Sequence, residues 1–472
     1  MTWEALTRAV GGARSGTEAG PRLVIDGVST DNRNLLPGQV FFCIRGENFD
    51  GHDFAASAVE RGAAAVVADR DLALPAPVLR VDDTIRALGR LAHAWRKQTR
   101  ARVIGVTGTA GKTTVKEVLA AVLGQRGRTA KNERNLNNRI GLPVSMLAAD
   151  GNEAFWVMEV GISHAQDMDE LGPILEPDLA LILNAGSGHT AGLGRSVARH
   201  KARLLSWLAP GGTGLVCADY PELVREARAV RPAPAYLEFF TASGKPLAYS
   251  GGYLGAAERE GYGRYRVCRD TICRDLDAPF RGNYGSENVM AVSAAAFEFD
   301  LGMDEIAAGL GAAVLPGQRF ACSRCGDWLL VDDSYNANPL SCACMLESAA
   351  GLAADMARTV QAEVPLVCVL GEMLELGDLA EEEHEKLGRH IAACGPRLVI
   401  WKGGQAAAVR YGLHVAGCAG AFVALEQAGD LPGILEEQGV RGGVILFKGS
   451  RGNRLEECVA KFKTLAETSD AV

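Results

Sequence analysis

A chain of 472 residues is about three times the usual domain length, so it should contain two or three cores. With 48% hydrophobic and 22% charged residues it reads as an ordinary globular α/β protein, which excludes disordered and fibrous classes. A net charge of -8 opposes non-specific attraction to nucleic acid or an anionic membrane, although a local basic pocket could still take a small anion.

Residues 1–10 lack the basic-then-apolar pattern of a secretory leader, and no run of about 18 uncharged apolar residues occurs, so the expectation is a soluble cytoplasmic protein without membrane insertion. The 12 cysteines are scattered, which fits a reducing compartment with most of them acting as small buried hydrophobes. Cys322, Cys325, Cys342 and Cys344 approach the spacing of a four-thiolate zinc site. Their last pair is one residue too close, so zinc is the less favoured reading.

Residues 1–98, with short apolar runs at 40–42 and 64–67 and a helical stretch at 84–98, form a first small α/β domain. At 99–313 a buried strand, 103–106, enters a glycine-rich turn and a helix over 112–124. Further apolar strands at 155–160, 179–183 and 214–217 alternate with helices, which predicts a parallel sheet. Residues 247–277, rich in Gly, Tyr and Arg, read as irregular or antiparallel β structure. From 314 to 472, strands at 329–331, 367–370, 398–401, 421–424 and 444–447 again alternate with helices, a Rossmann-like pattern. There is no internal repeat and no low-complexity tract. The fold expected is therefore α/β in three domains, with a central P-loop-type parallel-sheet domain and a C-terminal Rossmann-like one.

Gly108-Thr109-Ala110-Gly111-Lys112-Thr113-Thr114 lies between strand and helix, the context a phosphate cradle requires. Glycines let backbone N–H groups approach phosphate, Lys112 offsets its charge, and a threonine hydroxyl can bind magnesium. The general pattern places a glycine six residues before the lysine; here Val106 stands there, and the nearest glycine is Gly105. ATP or GTP binding follows from the loop.

Polar residues also close neighbouring strands. Glu159 ends one apolar run, where sheet ligands bind, and reads as a metal ligand. Asn184 and His189 follow the next strand as further magnesium or phosphate contacts, a hydrogen-bonded loop histidine being the alternative. Asn135, Asn137 and Asn138 can bind carbonyls, hydroxyls or pyrophosphate, or simply stabilise a turn. In the third domain, Asp332-Asp333-Ser334-Tyr335-Asn336-Ala337-Asn338-Pro339 and Lys448-Gly449-Ser450-Arg451 close two strands; the second could hold a carboxylate or phosphate, and a solvated loop is the alternative for the first.

Taken in order, these segments resemble the Mur ligases over roughly residues 31–450. The phosphate loop is similar to that family's, including its shortened glycine spacing. The two third-domain segments, with Leu370-Gly371-Glu372-Met373-Leu374-Glu375-Leu376-Gly377, look like those of the members that add D-alanyl-D-alanine to a muropeptide precursor.

The resemblance implies an ATP-dependent amide ligase with ATP at Gly108, Thr109, Ala110, Gly111, Lys112, Thr113 and Thr114. Asn288 and Arg319 would contact the nucleotide and Asp333 its ribose. Magnesium would sit on Thr113, Glu159, His189 and Lys201, the last looking like the lysine the family carbamylates. Lys112, His189 and Lys201 would serve catalysis. UDP-N-acetylmuramoyl-tripeptide would lie on Asp31, Arg33, Asn137 and Asn138 of the first two domains. D-alanyl-D-alanine would enter at Asn336, Asn338, Lys448 and Ser450 in the third, and a monomer without nucleic-acid partners is expected. Several positions depart from the family pattern. Lys201 follows His189 by 12 residues where about two more are usual, and Arg203 stands where an acidic residue is common. Glu287 stands where histidine is usual, Ala291 replaces a second asparagine, and Asn32 replaces a serine or threonine.

Overall fold

The structure, a computed structural model, describes every residue except 18, 19, 21, 22, 47, 187–189, 195, 260, 283 and 470–472. Three sheets follow one another along the chain.

The first sheet has five strands in the spatial order Ala13–Gly16, Pro77–Arg80, Ala65–Ala68, Val40–Phe42 and Val28–Ser29, parallel apart from the first pairing. Its apolar strands are buried on both faces, against the helices Trp3–Val10 and Thr84–Arg96 on one side.

The central sheet has nine strands. Third from one edge, the strand Arg102–Thr107 lies between Leu179–Ile182 and Phe155–Glu159, parallel to both, in a register that pairs Val106 with Glu159 and Thr107 with Ile182. The loop leaving this strand therefore opens beside the carboxyl ends of two neighbours, which is where ligands collect in open α/β sheets. Further strands, Thr213–Cys217 and Tyr236–Thr241, continue the parallel run. Tyr249–Ala256, Gly263–Arg269 and Ile272–Ala278 finish the edge as antiparallel ribbons, in agreement with the reading of that glycine-rich segment. Cys268 and Cys273, opposite each other in the last ribbon, form a disulfide that their sequence pattern did not suggest; the other ten cysteines are free.

The helix Lys112–Leu123 buries Val115, Val118, Leu119, Val122 and Leu123 completely. Each such side chain contributes roughly 1.5–3 kcal/mol, and Leu119→Ala alone should cost about 2–5 kcal/mol. Gly111 starts the helix at φ 81°, and a Cβ there would lie 2.8 Å from the Asn288 side-chain oxygen, so no larger residue fits.

The third sheet has six strands in the order Ala321–Cys325, Trp328–Asp333, Gly443–Lys448, Leu366–Gly371, Leu398–Lys402 and Ala421–Ala424. All pairings are parallel except the first, an edge hairpin absent from the sequence reading. The helix Pro339–Val360 is long and apolar enough, by length and composition, to cross a membrane. It carries Glu347, Asp355 and Arg358, and it packs Cys342, Met345, Leu346, Ala349, Leu352 and Ala353 into the third core, so its apolar face is already occupied. Cys322 and Cys342 belong to this packing, and among the described residues no three His, Cys, Asp or Glu side chains converge as a metal site.

Candidate functional site

The carboxyl edges of the central and third sheets face one another across a cavity of about 410 Å³. It is lined by residues 109–114, by Asn137, Asn138 and Glu159, and by Asn288, Arg319, Asp333, Asn336, Asn338 and Lys448. Segments separated by more than 300 residues in sequence thus meet in one place.

Thr113 and Glu159 are the closest contact between the loop helix and the neighbouring strand. The Thr113 hydroxyl donates to Glu159 Oε2 at 2.7 Å, and Asn137 Nδ2 donates to Oε1 at 2.6 Å. Glu159 is 2% exposed, so a carboxylate with two hydrogen bonds is held at the cavity floor. Its backbone is clamped by Asn132, which accepts from the Glu159 N–H at 2.9 Å and donates to its carbonyl at 3.0 Å. Lys116, also fully buried, donates to the carbonyls of Asn132 and Arg134 and so anchors the asparagine loop to the phosphate-loop helix. Lys116 and Asn132 were not singled out in the sequence; the only signal was a cation inside the apolar run of that helix.

Lys112 folds back on its own loop, donating to the Gly108 carbonyl at 2.9 Å. Lys201, 1% exposed, donates to the same carbonyl at 2.9 Å. Burial holds the Lys112 ammonium below its usual range, against the pull of Glu159. Lys201 is driven well below its usual range, first by burial and then by Lys112 beside it. His189 lies outside the described residues.

Asn184, expected as a ligand contact, lines the cavity and also holds the loop. Its Oδ1 accepts from the N–H groups of Thr109 and Ala110, and its Nδ2 donates to Glu287. Burial pushes the Glu287 carboxyl up to about 7, against hydrogen bonds from Asn184 and Tyr220.

From the third domain, Asn338 caps the helix Pro339–Val360 through the Ser341 N–H and reaches across to the Thr109 carbonyl at 3.4 Å. The Arg319 guanidinium stacks 4.1 Å above the Tyr335 ring. Lys448, opposite Asp333 in the parallel pairing, donates to its carboxylate at 2.5 Å and to the Asn336 carbonyl at 3.0 Å. Ser450 does not line the cavity; its hydroxyl accepts from the Leu374 N–H and donates to the Ala337 carbonyl. Asp31 and Arg33 are likewise outside this cavity, paired with each other at 2.7 Å on the first domain. The Arg33 guanidinium holds the Asp31 carboxyl below its usual range.

Known proteins resemble this chain in sequence and fold. Residues 106–296 match the Mur ligase middle domain, and residues 24–96 match the Mur ligase family catalytic domain. The chain is 33% identical over 453 residues to the UDP-N-acetylmuramoyl-tripeptide–D-alanyl-D-alanine ligase of Bacillus subtilis, covering 94% of this chain and 95% of that protein. The crystal structure of MurF from Acinetobacter baumannii superposes with a TM-score of 0.86 at 28% identity, covering 98% of both chains. That of MurF ligase from Thermotoga maritima in complex with ADP superposes with a TM-score of 0.81 at 25% identity, covering 95% of this chain and 99% of that one.

Proposed function

The chain belongs to the Mur ligase family, and from that membership we infer an ATP-dependent ligase that joins D-alanyl-D-alanine to UDP-N-acetylmuramoyl-tripeptide in peptidoglycan precursor synthesis. The products are the UDP-muramoyl-pentapeptide, ADP and phosphate. The observation that carries this reading is the single cavity in which the phosphate loop faces the third-domain segment 333–341.

A carboxylate is too poor an electrophile to form an amide near neutral pH. Its oxygen therefore attacks the γ-phosphorus of ATP, breaking the bond to ADP and giving an acyl phosphate. The dipeptide amine then attacks the acyl carbon, loses a proton and expels phosphate. Such transfers depend on position and charge more than on covalent help from the protein. The first turn of Lys112–Leu123 leaves N–H groups without intrahelical partners to receive phosphate oxygens. Lys112 would offset their charge.

Thr113 and Glu159 suit magnesium, since both are hard oxygen donors and they converge within 2.7 Å. Bound there, magnesium would offset charge on the transferring phosphoryl group. His189 is the further ligand implied by the family resemblance. Lys201 would contribute as a carbamate: its depressed basicity favours the neutral amine, which adds carbon dioxide with loss of a proton.

The three domains divide the substrates. Residues 1–98, with Asp31 and Arg33, hold the UDP end together with Asn137 and Asn138; residues 99–313 hold ATP, with Asn288 and Arg319 at the nucleotide and Asp333 at its ribose. Residues 314–472 admit the dipeptide beside Asn336 and Asn338. Lys448 and Ser450, engaged with Asp333, Asn336, Ala337 and Leu374, keep the loops around that entrance in shape. The need for ATP and a UDP-linked substrate supports a cytoplasmic enzyme, and the described cavity lining is complete enough within one chain to support a monomer.

Phosphate release from ATP and magnesium with UDP-N-acetylmuramoyl-tripeptide, measured with and without D-alanyl-D-alanine, tests the reading when mass spectrometry follows the product. Dipeptide-dependent release with appearance of the UDP-pentapeptide is expected. Release indifferent to the dipeptide would leave an ATPase with another acceptor or none.

A further inference from the structure

One side-chain amide braces the apex of the phosphate loop. Asn184, 3% exposed, presents its Oδ1 to the N–H groups of Thr109 and Ala110 at 2.8 Å each. Those bonds exist in only one of the two orientations open to an amide. Turned over, its NH₂ would meet two N–H groups, donor against donor.

The opposite edge of that amide is fixed by Glu287. Its Oε1 accepts from Asn184 Nδ2 at 2.5 Å, and the Ala110 carbonyl accepts from the same nitrogen at 3.2 Å. Oε1 stands there as an acceptor, so it selects the NH₂. Its other oxygen, Oε2, accepts from the Tyr220 hydroxyl at 2.7 Å. Tyr220 precedes the helix Pro221–Ala229, while Glu287 sits in the first turn of Tyr284–Phe297, beside the Asn288 that faces Gly111. Three separate segments therefore converge beneath the loop.

We propose that Glu287 and Tyr220 are positioning residues for nucleotide binding, locking the Asn184 amide in the orientation that braces the phosphate loop before ATP arrives. The proposal rests on the loop being the ATP site. Both line the cavity, and their contacts there run through Asn184. In Glu287→Ala the Asn184 NH₂ and the Tyr220 hydroxyl both lose a partner, and the amide is free to turn. Glu287→Gln restores the lock, because its carbonyl oxygen accepts from Asn184 while its NH₂ donates to the Tyr220 oxygen.

The test is calorimetric binding of magnesium-AMPPNP to the full chain, alongside the KM for D-alanyl-D-alanine. Glu287→Ala should weaken AMPPNP roughly tenfold, the scale of one hydrogen bond to a charged group, with the dipeptide KM unchanged. Glu287→Gln should stay within about threefold of the unaltered protein, and Tyr220→Phe should fall between the two. A role in folding alone would not separate nucleotide from dipeptide or be rescued by glutamine. Normal AMPPNP binding in both Glu287→Ala and Tyr220→Phe, or binding by Glu287→Gln as weak as by Glu287→Ala, would overturn the proposal. Should Glu287→Ala not fold, Tyr220→Phe decides: weakened binding supports the lock and normal binding overturns it. An unaltered protein that bound no AMPPNP would first overturn the loop as the ATP site, and the proposal with it.

Discussion

Lys201 donates to the carbonyl of Gly108, 93 residues earlier, at 2.9 Å, so an almost fully buried amino group holds the first residue of the phosphate loop. Lys112 donates to that same carbonyl, and burial, with the repulsion that two cations sharing one acceptor would feel, holds Lys201 toward its neutral form. Conversion of Lys201 to a carbamate would supply an anion.

Carbon-13 bicarbonate should therefore give a carbamate resonance in the unaltered enzyme that is missing from Lys201→Arg. The variant should also lose roughly 100-fold or more in kcat, the scale of removing one preorganised charge contact. An identical spectrum and near-normal turnover in Lys201→Arg would rule the carbamate out.

Lys112→Ala should cost about 3 kcal/mol or more of transition-state stabilisation, roughly 100-fold in kcat. Steady-state rates at saturating ATP measure this. Turnover close to normal would show that Lys112 does not serve the transferring phosphoryl group.

Asp333 and Lys448 form a buried pair, with side chains 14% and 2% exposed. Removing either partner strands a charge, so Asp333→Ala or Lys448→Ala should each lower stability by about 3–5 kcal/mol in urea unfolding. Replacing both with apolar residues of similar volume should cost less than the two single losses added together. Strict additivity would mean that the two groups do not depend on each other.

Glu305 accepts from Arg126 at 2.8 and 2.7 Å and from the Gly302 N–H at 2.9 Å, contacts that pull its carboxyl down to about 2. Folding thus favours the ionised form. The stabilisation is fully present above the unfolded carboxyl value, about 4.3, and is lost as pH falls toward about 2. Thermal unfolding followed from about pH 5 to about pH 2 should show a shallower acid loss for Glu305→Gln than for the unaltered chain. Superimposable acid limbs would show that this clamp adds nothing to stability.

The phosphate loop was legible because its chemistry constrains its letters: a lysine, hydroxyls, and a glycine where φ is positive and a Cβ would strike Asn288. Strands buried on every residue, such as Phe155–Glu159 and Gly443–Lys448, announced themselves as apolar runs. Edge strands did not. Ala13–Gly16 and Ala321–Cys325 have no fully buried residue, so nothing in their composition separates them from loops. Glu159, Asn336 and Asn338 could be picked out as polar residues closing apolar strands. The Asn184, Glu287 and Tyr220 contact could not, because it depends on three segments whose approach is fixed by sheet order and helix packing. For the same reason Lys448 read as a cation for a ligand carboxylate or phosphate, although the strand register places Asp333 directly opposite it.

Following oxygen from carboxylate to phosphate tests acyl-phosphate transfer most directly. UDP-N-acetylmuramoyl-tripeptide with both reacting carboxylate oxygens as oxygen-18 is turned over with ATP and D-alanyl-D-alanine. The released phosphate should carry one labelled oxygen and the new amide the other. Unlabelled phosphate, with pentapeptide still forming, would contradict activation of the carboxylate by phosphoryl transfer.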